Sequence, residues 1–122
     1  MIAVKKSEWK VLDQEGFCYD EIAADYGDLG EYKNSNMALM CILEHTRTGA
    51  QVMVVNTHLY WNHQHDYVKA AQAVHLLEKC ATYYKAKSRV GQQSELAFVL
   101  GGDFNAKPVS SVMSILLNES LT

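Results

Sequence analysis

Residues 51–105 constrain the fold of this chain more than any other stretch. Gln51-Val52-Met53-Val54-Val55-Asn56-Thr57 reads as a short apolar strand. Leu96-Ala97-Phe98-Val99-Leu100 reads as a second, wholly apolar and of the type buried on both faces. Between them, with Asp66 as the N-cap, apolar side chains recur at Tyr67, Ala70, Ala71, Val74, Leu77, Ala81 and Tyr84. That spacing predicts one face of an α-helix. Strand, helix, strand is a βαβ unit, whose strands run parallel with a right-handed crossover. Parallel strands end at the same sheet edge. The polar ends Asn56-Thr57-His58 and Gly102-Asp103-Phe104-Asn105 are therefore expected side by side, where α/β sheets hold ligands.

The rest of the chain fits an α/β (α+β) reading. Residues 2–6 and 9–13 are expected to form a hairpin turning at Ser7. Residues 20–36 are acidic, contain Gly27 and Gly30, and read as a surface loop with one helical turn. Residues 37–44 (MALMCILE) form a strand, joined through the turn Thr46-Arg47-Thr48-Gly49 to residues 51–57 as an antiparallel hairpin. Ser88 to Ser94 is a polar loop holding Gly91, Gly101-Gly102 breaks the last strand, and Ser110 or Ser111 caps a short helix over 112–117.

At 122 residues and 48% apolar the chain is long enough for one real core. The longest apolar run, Met37 to Leu43, is far short of the ~20 residues that span a bilayer. No apolar core follows the first basic residues, so a cytoplasmic or nuclear location without membrane contact is expected. Cys18, Cys41 and Cys80 are an odd set without CxxC spacing, which favours packing thiols over disulfides or zinc. Residues 1–45 carry nine acids and four bases, and residues 46–122 carry seven bases and five acids. Neither part is a basic footprint for nucleic acid, so phosphate chemistry here needs cations or hydrogen-bond donors.

The two strand ends supply such groups. A carboxylate (Asp103) can deprotonate a water or help hold a divalent cation. An amide (Asn105) can donate to a phosphate oxygen without repelling it, and an imidazole (His58) can stabilise developing charge. The same letters also serve structure, because Gly-Asp-x-Asn is good turn sequence and a histidine after a strand is commonly structural. His58, His63, His65 and Asp66 read as solvated loop groups rather than a transition-metal site. Tyr83-Tyr84 with Lys85, Lys87 and Arg89 reads as the wet end of a helix rather than a nucleic-acid patch.

The blocks Asn56-Thr57-His58-Leu59 and Gly102-Asp103-Phe104-Asn105, in that order and joined by a helix, resemble the endonuclease/exonuclease/phosphatase superfamily. NTHLYWN, Asp66-x-x-Lys69-x-x-Gln72, LGGDFNAKP and Asn36-Met37-Ala38-Leu39 look most like its deadenylase-like branch, which includes nocturnin, Angel and the nuclease subunit of the CCR–NOT complex. The resemblance implies part of a four-layer α/β/β/α sandwich of the deoxyribonuclease I-like type, truncated at both ends. Residues 1–122 would be the middle portion of an incomplete domain.

It also implies phosphoester hydrolysis with Mg2+ or Mn2+, most naturally as a 3'-5' exoribonuclease or poly(A) deadenylase acting on RNA or another phosphate ester. Asp103 would position the attacking water or contact a cation. Asn105 would orient the scissile phosphate and touch a second ion, and His58 would hydrogen-bond a phosphate oxygen. Asn36 and Asn56 would support the substrate, and Trp61, Asn62 and His63 would line its groove, although Pro usually stands where this chain has His63.

The family's amino-terminal metal-binding Glu and carboxy-terminal Asp-His pair have no counterpart. Gln14-Glu15 mimics the Glu dipeptide but lies in a strand or loop, so these residues alone are expected to hydrolyse little. The alternatives are a lipid or inositol phosphate phosphatase of the same fold, or a non-catalytic remnant or binding module.

Overall fold

The computed structural model describes residues 1–88 and 96–118. Strand β1 (Trp9–Cys18) is followed by 3-10 turns at Tyr19–Tyr26 and Gly30–Tyr32, then β2 (Met37–His45) and β3 (Gln51–His58). A 3-10 turn at His63–His65 leads into helix α1 (Asp66–Lys87), strand β4 (Ala97–Asp103) and helix α2 (Ser111–Asn118). The four strands form one sheet in the order β1-β2-β3-β4. β1 and β3 both run antiparallel to β2, and β4 is parallel to β3. The hairpin and the βαβ unit expected from the pattern are both present.

Helix α1 covers one face of this sheet. The core combines Phe17, Ala38, Met40, Ile42, Met53 and Val55 from the strands with Ala73, Leu76, Cys80 and Tyr83 from α1 and Val112 from α2. Each large apolar side chain buried there contributes about 1.5–3 kcal/mol. Alternation explains the pairing: Met53 and Val55 point at the helices, while Val52 and Val54 share the opposite face with Val99 of β4.

Five sequence expectations change. Residues 2–6 are not a strand. β1 instead runs through Cys18 because each residue from Gln14 on has a partner in β2, and β1 bulges between Val11 and Asp13.

The buried face of α1 is Val68, Lys69, Gln72, Ala73, Leu76, Leu77, Cys80 and Tyr83, turned from the apolar face read off the sequence. Val74 is 44% exposed. Apolar counting missed this phase because two of the buried residues are polar. Asp66 is also not the cap; it is the first helical residue and accepts a hydrogen bond from Lys69 Nζ at 3.3 Å.

β4 is not buried on both faces, since Val99 is 53% exposed at the end of the strand order. Nor do Gly101 and Gly102 break it, because they pair with Asn56 and Thr57 and carry the strand to Asp103. The expected loop at Ser88 to Ser94 lies, apart from Ser88, outside the described residues. α2 is capped by Ser110, whose Oγ accepts from Met113 N at 3.2 Å.

Candidate functional site

The last residues of β3 and β4 are register partners, Asn56 opposite Gly101, Thr57 opposite Gly102 and His58 opposite Asp103. The pairing continues past the strands, since Leu59 N donates to Asp103 O at 2.9 Å. His58 Nε2 lies 3.7 Å from Asp103 Oδ2, and both side chains are about two-thirds exposed (68% and 63%). A solvent-open imidazole and carboxylate thus sit together on a tightly paired backbone.

Gly102 makes this approach possible. Its φ is +139°, and a Cβ there would lie 1.9 Å from the Thr57 carbonyl oxygen. Any side chain at 102 would drive the two strands apart at the site.

Asn105 follows in a left-handed conformation (φ 47°), which asparagine adopts more readily than most residues. Its backbone N donates to Asp103 Oδ1 at 2.9 Å, and its Nδ2 donates to Leu59 O at 2.8 Å. That leaves Oδ1 as its remaining side-chain polar atom. Asn36 Nδ2 donates to His58 O at 3.0 Å, and Asn56 Nδ2 to Met1 O at 2.9 Å. Both amides therefore hold backbone around the site.

A cleft of about 450 Å³ opens here, lined by Met37, Leu39, Asn56, Thr57, His58 and Asp103 among others. Trp61, 66% exposed, extends from the loop after β3 and tilts against Tyr60 with ring centroids 6.1 Å apart. Asn62 caps the following 3-10 turn by accepting from Gln64 N at 3.0 Å. His63 lines a separate cavity with Lys69, Asn105 and Lys107.

Sequence reasoning gave no role to three neighbours. Tyr19 is fully buried and its hydroxyl shares a 2.6 Å hydrogen bond with Thr57 Oγ1. Burial pushes its phenol pKa up despite that bond, so it stays neutral. Lys69 and Gln72, buried on α1, reach the loops around the site. The sequence marks them in the spacing Asp66-x-x-Lys69-x-x-Gln72 and as a polar pair at i, i+3 between Val68 and Ala73, without showing what they bind. Glu15 faces a different cavity, with Met40, His75 and Lys79 against α1, and does not line the His58–Asp103 cleft.

Among the described residues, no group of three or more His, Cys, Asp or Glu side chains converges as a metal cage. Mg2+ keeps several waters and uses one or two carboxylates plus substrate phosphates. Asp103 fits as one such ligand, and these residues do not enclose an ion by themselves.

A sheet whose parallel strand ends bring His58 and Asp103 together, backed by a crossover helix, is that of an α/β protein, and its likeness to solved structures puts the fold in the deoxyribonuclease I-like class. No family model matches the chain. It is similar to the probable CCR4-Not complex 3'-5'-exoribonuclease subunit Ccr4 of Vairimorpha ceranae, 38% identical over 93 residues that make up 74% of this chain and 18% of the relative. Its fold is similar to the human Nocturnin catalytic domain (TM-score 0.72, 22% identity, covering 93% of this chain and 36% of that one). It is also similar to the endonuclease/exonuclease/phosphatase from Bacteroides vulgatus (TM-score 0.69, 22% identity, covering 94% and 40%). The chain belongs to the endonuclease/exonuclease/phosphatase superfamily, in its deadenylase-like branch. It spans less than a fifth of the length of the first curated relatives it matches.

Proposed function

We propose that this chain carries part of the phosphodiester-cleaving site of a 3'-5' exoribonuclease that shortens poly(A). The observation that carries the reading is the register of His58 opposite Asp103 at one open sheet edge. The Ccr4 similarity supports the substrate class.

In this reading His58 donates to a non-bridging phosphate oxygen and stabilises charge on it as water attacks phosphorus and the bond from phosphorus to the 3' oxygen of the preceding nucleotide breaks, that oxygen leaving with a proton from solvent. Asp103 orients that water and accepts its proton, or gives one oxygen to Mg2+ or Mn2+. The cation, when bound, neutralises the phosphate oxygens. Asn105 holds the Leu59 carbonyl and offers Oδ1 to the same space. Asn36 fixes the backbone on which His58 rides, Asn56 holds the Met1 carbonyl at the rim of the cleft, and Trp61 offers a face for a base to stack on. Asn62 caps the turn that follows Trp61, and His63 lines the adjoining cavity beside Asn105, where a further part of the substrate would lie. The 122 residues are the middle of a larger catalytic domain, and alone they turn over little, because groups that act as a unit fail together. In this reading the protein works in the cytoplasm or nucleus as part of a CCR4-Not-type complex; the relatives' names support the complex. Among the described residues, no helix is long and apolar enough to cross a membrane.

The test is binding and turnover of a short adenylate oligomer by the chain, with and without Mg2+. Binding is expected to require the cation and to fall at least about tenfold in His58→Ala, the loss of one charge-stabilising hydrogen bond. Trp61→Ala should weaken it by roughly 1–3 kcal/mol, the worth of one stacked base. Equal or tighter binding of an inositol phosphate would turn the reading toward a phosphatase. Robust turnover abolished by Asp103→Ala would show that these residues suffice.

A further inference from the structure

Helix α1 buries two polar side chains one turn apart where the rest of its inner face is apolar. Lys69 is 2% exposed and Gln72 is fully buried. Burying an ammonium group and an amide costs several kcal/mol unless both are hydrogen-bonded. Their partners explain why they are there.

Lys69 Nζ donates to Asn105 O at 2.6 Å. Gln72 Oε1 accepts from Tyr60 N at 2.8 Å, and its Nε2 donates to Asn36 Oδ1 at 3.2 Å. One helical turn thus holds three segments that are distant in sequence: the approach to β2, the loop after β3 and the loop after β4. The segments then bind each other. Asn36 reaches His58 O, Asn105 reaches Leu59 O, and Leu59 N reaches Asp103 O. Among the described residues, the hydrogen bonds of His58 and Asp103 run to Asn36, Leu59 and Asn105 rather than to α1; the helix reaches the backbone and amides that carry them.

We propose that Lys69 and Gln72 are positioning residues, a two-point clamp through which α1 sets the spacing between the His58 and Asp103 strand ends. The inference rests on the proposed site for its purpose, and on the hydrogen bonds alone for its geometry. The two points are separable. Gln72 governs Asn36 and the His58–Tyr60 backbone, and Lys69 governs the Asn105 loop. Each also covers what the other leaves: the Leu59 carbonyl, next to the Gln72-held Tyr60 amide, is occupied by the side chain of the Lys69-held Asn105.

The test uses the whole chain, with Gln72→Met, Lys69→Met and Lys69→Arg compared by NMR. In Gln72→Met the Tyr60 amide should exchange at least about tenfold faster, the loss of one buried hydrogen bond, with the Asn36 side-chain amide signal shifted. The Asn105 amide should move less. Lys69→Met should reverse this pattern, and Lys69→Arg, which still donates, should restore the Asn105 signal. If Gln72→Met does not fold, Gln72→Glu is read instead. It keeps the acceptor for Tyr60, so Tyr60 should stay protected while Asn36 shifts.

Uniform changes across the sheet that track the fall in melting temperature would overturn the clamp. So would unchanged signals at Asn36, Tyr60 and Asn105. None of these readouts needs RNA, metal or turnover. A chain that passes this test yet binds no adenylate oligomer keeps the clamp and loses the exoribonuclease reading.

Discussion

The two ends of α1 perform different work. From Leu76 onward its inner face is apolar, with Leu76, Cys80 and Tyr83 in one core with Met40, Ile42 and Met53. Before that, Lys69 and Gln72 point inward and bind loops. The later half holds the sheet by area removed from water, a non-directional force that tolerates small shifts. The earlier half holds three loops by directional bonds, which fix where atoms lie. Stability and geometry are therefore assigned to adjacent turns of one helix, and substitutions should separate them.

The largest effect is expected where the site backbone itself is tight. Gly102→Ala places a methyl group against the Thr57 carbonyl, so it should part β3 from β4 at their ends. The expected result is an unfolded or molten chain by circular dichroism. A cooperative melt near that of the parent would mean that the strand ends are not packed so closely.

Next comes the apolar half. Leu76→Ala removes a fully buried side chain and should cost about 2–5 kcal/mol in urea unfolding. The Asn36 and Asn105 side-chain signals should stay in place in the surviving folded fraction. Movement of those signals would show that the two halves are coupled.

Tyr83→Phe is smaller. The Tyr83 hydroxyl donates to Asp13 Oδ2 at 2.6 Å, and Lys87 Nζ lies 3.1 Å from the same oxygen. The Tyr83 bond, then Lys87, hold the Asp13 carboxyl below the usual range. A depressed folded pKa contributes stability that is present above the unfolded value of about 3.9 and is lost as pH falls through the folded one. Tyr83→Phe should therefore lose about 1 kcal/mol at neutral pH and less in acid, read from melts at pH 7 and pH 3. An equal loss at both would remove Asp13 from the account.

The smallest effect is chemical. Burial pushes the Cys80 thiol up to about 12, so iodoacetamide at pH 8 should label half-buried Cys18 first. Cys80 should react only in denaturant. Early labelling of Cys80 would mean that the apolar half opens readily.

The hairpin of β2 and β3 and the parallel pairing of β3 with β4 were legible because strand period, turn residues and crossover length are local signals. The meeting of His58 with Asp103 followed from that topology. The phase of α1 was not legible. Lys69 and Gln72 look like solvated residues until their partners, 36 and 12 residues away, are known. The length of β1 was hidden for a similar reason. Asp13 and Glu15 face the helix side of the sheet, where Tyr83 and Lys87 donate to the Asp13 carboxylate, so no apolar alternation marks the strand. Gly101-Gly102 looked like a break because the pattern shows only that glycine weakens strands. It does not show that Thr57 needs the missing Cβ.

The most direct test of the account is the direction of β4 against β3, read as through-space proton contacts in the folded chain. The parallel register predicts contacts from the His58 and Leu59 amides to Gly102 and Asp103, and from Val52 to Ala97. Contacts from His58 to Ala97 instead would reverse the strand, carry Asp103 to the far edge of the sheet, and leave no shared site.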